Sequence, residues 1–276
     1  MRRARADLLA CALLLGCATG RNYTDTRGPR FAGTAAPAPP CDSLRIVSFN
    51  LHFAEHVDAA FDLLREHPQL RDAHILALQE MDEAGTERIA AALGMHWVYY
   101  PATVHPHHDR NFGNAILARW PIDHDRKVAL PHRGRFRKTQ RIAVAGEVEV
   151  AGQLVRIYSF HLETPLELGP EDRRDQAQAI VDDARTVNGP VIVAGDCNSS
   201  SVGSVWTAAG FASPAQGLPA TTHYFHWDHI FLRGLRLRTP ASRGIVSETR
   251  GASDHRPVWI VVVPETLFPA PPPSEP

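Results

Sequence analysis

The sequence predicts an α/β fold, a four-layered sandwich of two packed mixed β-sheets flanked by helices. Two observations lead there. Short apolar runs that read as buried strands alternate with stretches of helical periodicity, and some of those runs are joined by hairpin-length turns. Hairpins mixed with strand-helix-strand units fit two mixed sheets packed face to face with helices outside.

Residues 45–50 read as a buried strand, followed by a helix whose Val57, Phe61 and Leu64 share one face. Residues 74–79 form the next strand, and a helix through Ile89 and Leu93 stops at Gly94. Residues 96–100, 113–119 and 122–129 are shorter strands. Residues 142–150 and 154–160 make a hairpin about Ala151-Gly152-Gln153. A helix covers residues 171–186, and strands return at 190–194, 227–232 and 258–263.

The chain has 276 residues and a formal net charge of −1, so its overall field recruits neither nucleic acid nor an anionic membrane. Residues 1–16 read as a lipoprotein signal peptide. Arg2, Arg3 and Arg5 precede an apolar run from Leu8 to Gly16 that is too short to span a bilayer. Leu14-Leu15-Gly16-Cys17 resembles the bacterial lipobox, which implies that Cys17 is lipidated. Ala18, where an Asp marks retention at the inner membrane, points to a cell-envelope protein on the periplasmic face of the outer membrane. Residues 17–43 are expected to be a Pro/Ala-rich, solvated tether, 44–264 the single folded domain, and 265–276 a Pro-rich tail. Two cysteines remain, Cys41 before one strand and Cys197 after another. If those strands run parallel, the thiols lie roughly 15–20 Å apart at about 3.3 Å per residue. A bridge needs alpha carbons within about 7 Å, so no disulfide is expected.

Polar residues recur at the ends of the apolar runs. They are Asn50, Glu80, His161, Asp196 with Asn198, Asp228, and Asp254 with His255. Each alone is a common turn or strand-end residue, but together they mark the edge where α/β sheets place their sites. The motifs that contain them are Ser48-Phe49-Asn50, Ala77-Leu78-Gln79-Glu80, Gly113-Asn114-Ala115-Ile116-Leu117, His161-Leu162-Glu163, Gly195-Asp196-Cys197-Asn198, Trp227-Asp228-His229-Ile230 and Ser253-Asp254-His255-Arg256-Pro257-Val258. In this order they resemble the endonuclease/exonuclease/phosphatase superfamily, whose fold is DNase I-like.

The resemblance implies a divalent-metal-dependent phosphoesterase acting through a histidine-activated water. Glu80, with Asn50 and Asp254 beside it, would hold Mg²⁺ or Mn²⁺, since oxygen ligands suit a hard cation. His255 is the expected base and Asp228 its partner, while Asp196 orients the water. Asn198 and His161 are expected to donate to the oxygens that gain charge. Arg173 and Gln176 match a family pattern or form only a surface pair, and Asn114 is expected only to support the site. His105, His107 and His108 resemble a metal tract but sit around Pro106, so a solvated loop is expected. Two positions depart from the family pattern: Cys197 and His229 stand where aromatics are usual.

The implied partners are a phosphate-ester substrate and a membrane reached through the lipid anchor, with the domain itself a monomer. A phosphodiester is the leading substrate, with nucleic acid favoured by Arg126, Lys127, Arg133, Arg135, Arg137, Lys138 and Arg141, a run without carboxylates expected to line the entrance. The alternatives are a phosphomonoesterase, a sphingomyelinase-like phospholipase, and a binding module without catalysis.

Overall fold

The computed structural model describes residues 19–39, 41–106 and 108–265. The signal peptide, Cys17, His107 and most of the Pro-rich tail lie outside them. The described chain opens with two short strands, β1 (Arg21–Asn22) and β2 (Phe31–Gly33). A strand-helix-strand unit follows, β3 (Leu44–Asn50), α1 (Val57–Glu66) and β4 (Ile75–Met81), and then α2 (Glu83–Leu93). Next come β5 (His96–Val104), β6 (Asn111–Ala118) and β7 (Asp123–Ala129). A hairpin of β8 (Ile142–Val150) and β9 (Gln153–His161) leads into α3 (Pro170–Ala184) and β10 (Val191–Asp196). The chain closes with α4 (Gly203–Ala208), β11 (Asp228–Arg233), β12 (Leu235–Leu237), β13 (Arg243–Ile245) and β14 (Val258–Pro264).

One sheet runs β1-β5-β6-β4-β3-β14-β12, with β2 also on β5 and β13 on β14; the other runs β11-β10-β9-β8-β7. Both are mixed, through the parallel pairs β3–β4 and β9–β10. Alternation along the strands fills three cores. Ile46, Ile75, Ala77, Ile192 and Ala194 point between the sheets. Val47, Phe49, Leu76 and Leu78 face Leu63, Leu64 and Ile89 of the helices on one side. Val191, Val193 and Phe160 face Ile180, Val181 and Trp206 on the other. The four expected layers are therefore present, and strands buried on both faces explain the nearly continuous apolar runs.

Helix α2 begins where Asp82 accepts from Gly85 N at 2.7 Å and ends at Gly94, whose φ of 62° is the left-handed turn glycine favours. The 142–161 hairpin is tighter than expected: Val150 pairs with Gln153, leaving only Ala151 (φ 52°) and Gly152 (φ 79°) in the turn.

The tether expectation is corrected over residues 19–39. Asn22 and Arg21 pair with Thr103 and Val104, and Phe31, Ala32 and Gly33 pair with Tyr99, Val98 and Trp97. Lys127 Nζ donates to the carbonyls of Tyr23 (2.9 Å) and Gly28 (2.8 Å). The segment thus satisfies the edge of β5 with its own backbone, a role that composition cannot reveal. Cys41 and Cys197 are free thiols, and Cys197 is buried in the same core as Trp206.

Candidate active site

Both sheets end at one place. Asn50 and His161 close β3 and β9, Asp196 closes β10, Asp228 opens the antiparallel β11, and Asp254-His255 lie on the turn before β14. Glu80 reaches this edge through a bulge. The β4–β6 register shifts between Gln79 and Met81, and Glu80 has φ 59°, which turns its side chain out of the pleat.

The side chains form a continuous network. Asn50 Nδ2 lies 3.2 Å from both Glu80 Oε1 and Asp196 Oδ2, which links the two sheets. The Asn50 and Glu80 carboxamide and carboxylate oxygens accept from His52 N (3.1 Å) and Phe53 N (3.0 Å), so the turn after β3 sets their orientation. His255 Nδ1 meets Asp228 Oδ2 at 2.8 Å, and its Nε2 lies 3.9 Å from Asp196 Oδ2. Asn198 N donates to Asp196 Oδ1 at 2.7 Å. Ser253 Oγ donates to Asn50 O at 2.7 Å and accepts from His255 N at 3.0 Å, fastening the turn that carries exposed Asp254.

Of the expected residues, Asn50, Glu80, His161, Asp196, Asn198, Asp228 and His255 are therefore in mutual contact, while Asp254 joins them through Ser253. His161 differs from expectation in what it faces. Its Nε2 lies 2.9 Å from the Asn198 amide and 3.4 Å from Asp196 Oδ2. Arg141 Nη1 is 3.0 Å from one ring nitrogen and 3.4 Å from the other, a near-equal spacing that sets the cation beside the ring rather than along one lone pair. Burial, reinforced by the Arg141 charge, holds His161 well below the usual histidine range and keeps it neutral.

The acids are short of compensating charge. Burial and the nearby Asp228 carboxylate push Asp196 up to about 7. Burial opposes the charged form of His255, but Asp228, with Asp196 and Asp254 behind it, overrides that and raises the ring to about 10. Asp228 Oδ1 is buried without a hydrogen-bond partner. Asp196, Asp228 and His255 bring ligand atoms within 4.8 Å of one another. Beside these acids Asn50 and Glu80 present a carboxamide and a carboxylate at the same edge, and an oxygen-rich, over-acidic edge of this kind fits a hard divalent cation.

Several supports were unread or misread in the sequence. Arg173 and Gln176 are not a surface pair: both are buried, Arg173 Nη1 donates to Asn198 O, and Gln176 Oε1 accepts from Glu163 N at 2.9 Å. Thr221 Oγ1 accepts from Asp228 N at 3.1 Å, and its carbonyl accepts from Arg256 N at 2.7 Å. Its only sequence signal is a polar residue a few positions before a motif. His105 is buried rather than solvated and packs on Phe53, as does His108. His229, where an aromatic is usual, still stacks on Phe231, and burial lowers it to about 4.

The Endonuclease/Exonuclease/phosphatase family model matches residues 47–255. The chain belongs to this family. Solved structures share its fold at low identity. An endonuclease/exonuclease/phosphatase from Bacteroides vulgatus is similar with TM-score 0.65 and 17% identity, over 81% of this chain and 99% of that one. The human Nocturnin catalytic domain with bound sulfate gives 0.65 and 20%, over 86% and 98%. D. rerio TDP2 complexed with single strand DNA product gives 0.62 and 16%, over 80% and 99%. No curated protein matches the chain at a significant level.

Proposed function

We propose that this family member is a phosphodiesterase that uses Mg²⁺ or Mn²⁺ and a water activated by His255. The observation that carries the reading is the His255–Asp228 contact at 2.8 Å, at the same end of the sandwich as the Asn50–Glu80 pair. Glu80, Asn50 and Asp254 would hold the cation, whose chemistry when bound is to neutralise phosphoryl charge and stabilise the leaving oxygen. Asp228 accepts the Nδ1 proton and leaves His255 Nε2 directed at the reacting water. A divalent charge held there would offset the carboxylates that keep the proton on His255. Asp196 orients the water. Asn198 Nδ2 meets His161 Nε2 at 2.9 Å and donates to Leu162 O at 3.0 Å, and one of these contacts would give way for the amide to reach the oxygens that gain charge.

The expected outcome is that hydrolysis of bis(p-nitrophenyl) phosphate stops with EDTA and returns with Mg²⁺ or Mn²⁺. Full activity after exhaustive chelation would reject the reading. Faster hydrolysis of p-nitrophenyl phosphate than of the diester would favour a phosphomonoesterase. Plasmid DNA, RNA, sphingomyelin and inositol phosphates then sort the natural substrate.

The nucleic-acid reading draws on the DNA-bound TDP2 neighbour and on the basic segment 126–141. That segment offers fewer charges than its sequence promises. Arg126 pairs with Asp183, Lys127 caps carbonyls, and Arg141 is buried against Glu163. Arg133, Arg135, Arg137 and Lys138 stay exposed.

Location in the cell envelope through a lipid on Cys17 belongs to the same proposal. The protein is expected to sediment with membranes, and Cys17→Ser to release or misprocess it. A soluble wild-type protein with an unmodified amino terminus would reject the anchor.

A further inference from the structure

The segment nearest Cys17 is fastened to the rim of the active site. Gly20 N donates to Arg137 O at 2.8 Å, Asn22 Nδ2 donates to Lys138 O at 2.7 Å, and Asn22 Oδ1 accepts from Gln140 N at 2.7 Å. On the other side Arg21 pairs with Asp109 at 2.8 Å. The fit at Gly20 is close, since a Cβ there would come within 2.6 Å of Thr103 Oγ1 and 3.0 Å of Thr139 Cγ2. Residues 105–106, 108–110 and 130–141 lie at the catalytic end of the sandwich. The first loop joins β5 to β6, whose Gly113 pairs beside the Glu80 bulge; the second leads into β8, whose Ala143 pairs with Phe160 beside His161.

Cys17 precedes Gly20 by three residues. At about 3.6 Å per residue its alpha carbon lies no more than about 11 Å from that of Gly20. Any lipid on Cys17 therefore brings a bilayer to this rim. The rim has the character of a bilayer-facing surface. Phe136 is 55% exposed, among exposed Arg133, Arg135, Arg137 and Lys138. Leu166, 85% exposed, stands on the neighbouring loop, which Glu167 ties in by accepting from Phe136 N at 2.7 Å. Apolar side chains can enter the headgroup boundary while arginine and lysine stems extend to anionic phosphates.

We propose that residues 133–138 and Leu166 dock on an anionic bilayer, and that the Gly20–Asn22 strap couples the Cys17 anchor to them so that the active site opens toward the membrane. The proposal rests on the lipid anchor and on the phosphodiesterase reading. It gives that enzyme phosphate esters presented at the bilayer surface as its substrate class.

The test uses the full lipidated protein with Cys41→Ser, reconstituted in vesicles of phosphatidylglycerol and phosphatidylcholine. An environment-sensitive NBD label is placed at Phe136→Cys or, at the opposite end of the sandwich, at Leu154→Cys. The label at 136 is expected to shift to the blue and brighten at least about twofold on vesicles, with the label at 154 unchanged. Adding Arg133→Glu and Arg135→Glu should abolish the shift and leave the thermal midpoint of the protein unaltered. A water-like signal at both positions, or a response at 154, overturns the docking. So does a double variant that keeps the shift but loses salt-dependent affinity for a single-stranded oligonucleotide, since the rim would then track nucleic acid. The expected shift in a protein inactive on the diester would support docking and reject the phosphodiesterase reading alone.

Discussion

Replacing His255 with alanine is expected to lower turnover on a phosphodiester by about 10² to 10⁴ while leaving the fold intact. The ring lies between Asp228 at 2.8 Å and Asp196 at 3.9 Å, and it is the one imidazole there whose surroundings favour a proton. His161, the other, is held neutral. The fold should survive because His255 sits on a turn held by Ser253 and by the Arg256–Thr221 backbone bond, not in one of the three apolar cores. Asp196→Ala should cost a similar factor, since its carboxylate meets both Asn50 Nδ2 and Asn198 N. The measurements are kcat with saturating Mg²⁺ and the thermal midpoint by circular dichroism. Near-normal kcat in His255→Ala at an unchanged midpoint would remove His255 as the base.

The site was legible because its residues interrupt apolar runs. Asn50, His161 and Asp196 each end a strand buried on both faces, and a polar residue in such a place has no packing reason to be there. The fold was legible for the same reason, through runs such as 191–194 and 258–262. What escaped were features whose partners are remote in sequence. Strands β1 and β2 are two and three residues long, too short for any periodicity, and exist because β5 offers an edge. The charge of segment 126–141 was counted correctly but its use was not, because Asp183 and Glu163 lie well downstream. Helix α4, only six residues, is recruited by packing Trp206 on Phe231 at 4.5 Å, which local propensity does not encode.

Glu163→Ala is expected to destabilise the fold by about 3–5 kcal/mol, because it strands a buried cation. Arg141 Nη2 and Glu163 Oε1 meet at 2.7 Å with both side chains buried. The guanidinium also lies over Phe112, 5.2 Å from the ring centre, and beside His161, with the side chain only 9% exposed. Without Glu163, two further donors lose their acceptor: Thr139 Oγ1 at 2.9 Å and Thr164 N at 3.0 Å. Adding Arg141→Met should recover a large part of the loss, since burial of the uncompensated charge is the dominant cost. The pair also predicts a dependence on acid. Burial raises the Glu163 carboxyl, but the charge and hydrogen bond of Arg141 outweigh it and hold the group below its ordinary range. A carboxyl depressed on folding stabilises fully above its unfolded value of about 4.3, and that contribution disappears as pH falls through the lower folded value. The wild type should therefore lose its advantage over Glu163→Ala progressively below about pH 4. Urea midpoints at neutral and acid pH measure both effects. A neutral-pH loss under about 1 kcal/mol, or a double variant no more stable than Glu163→Ala, would show that Arg141 finds solvent or another partner and that the ion pair does not hold the wall behind His161.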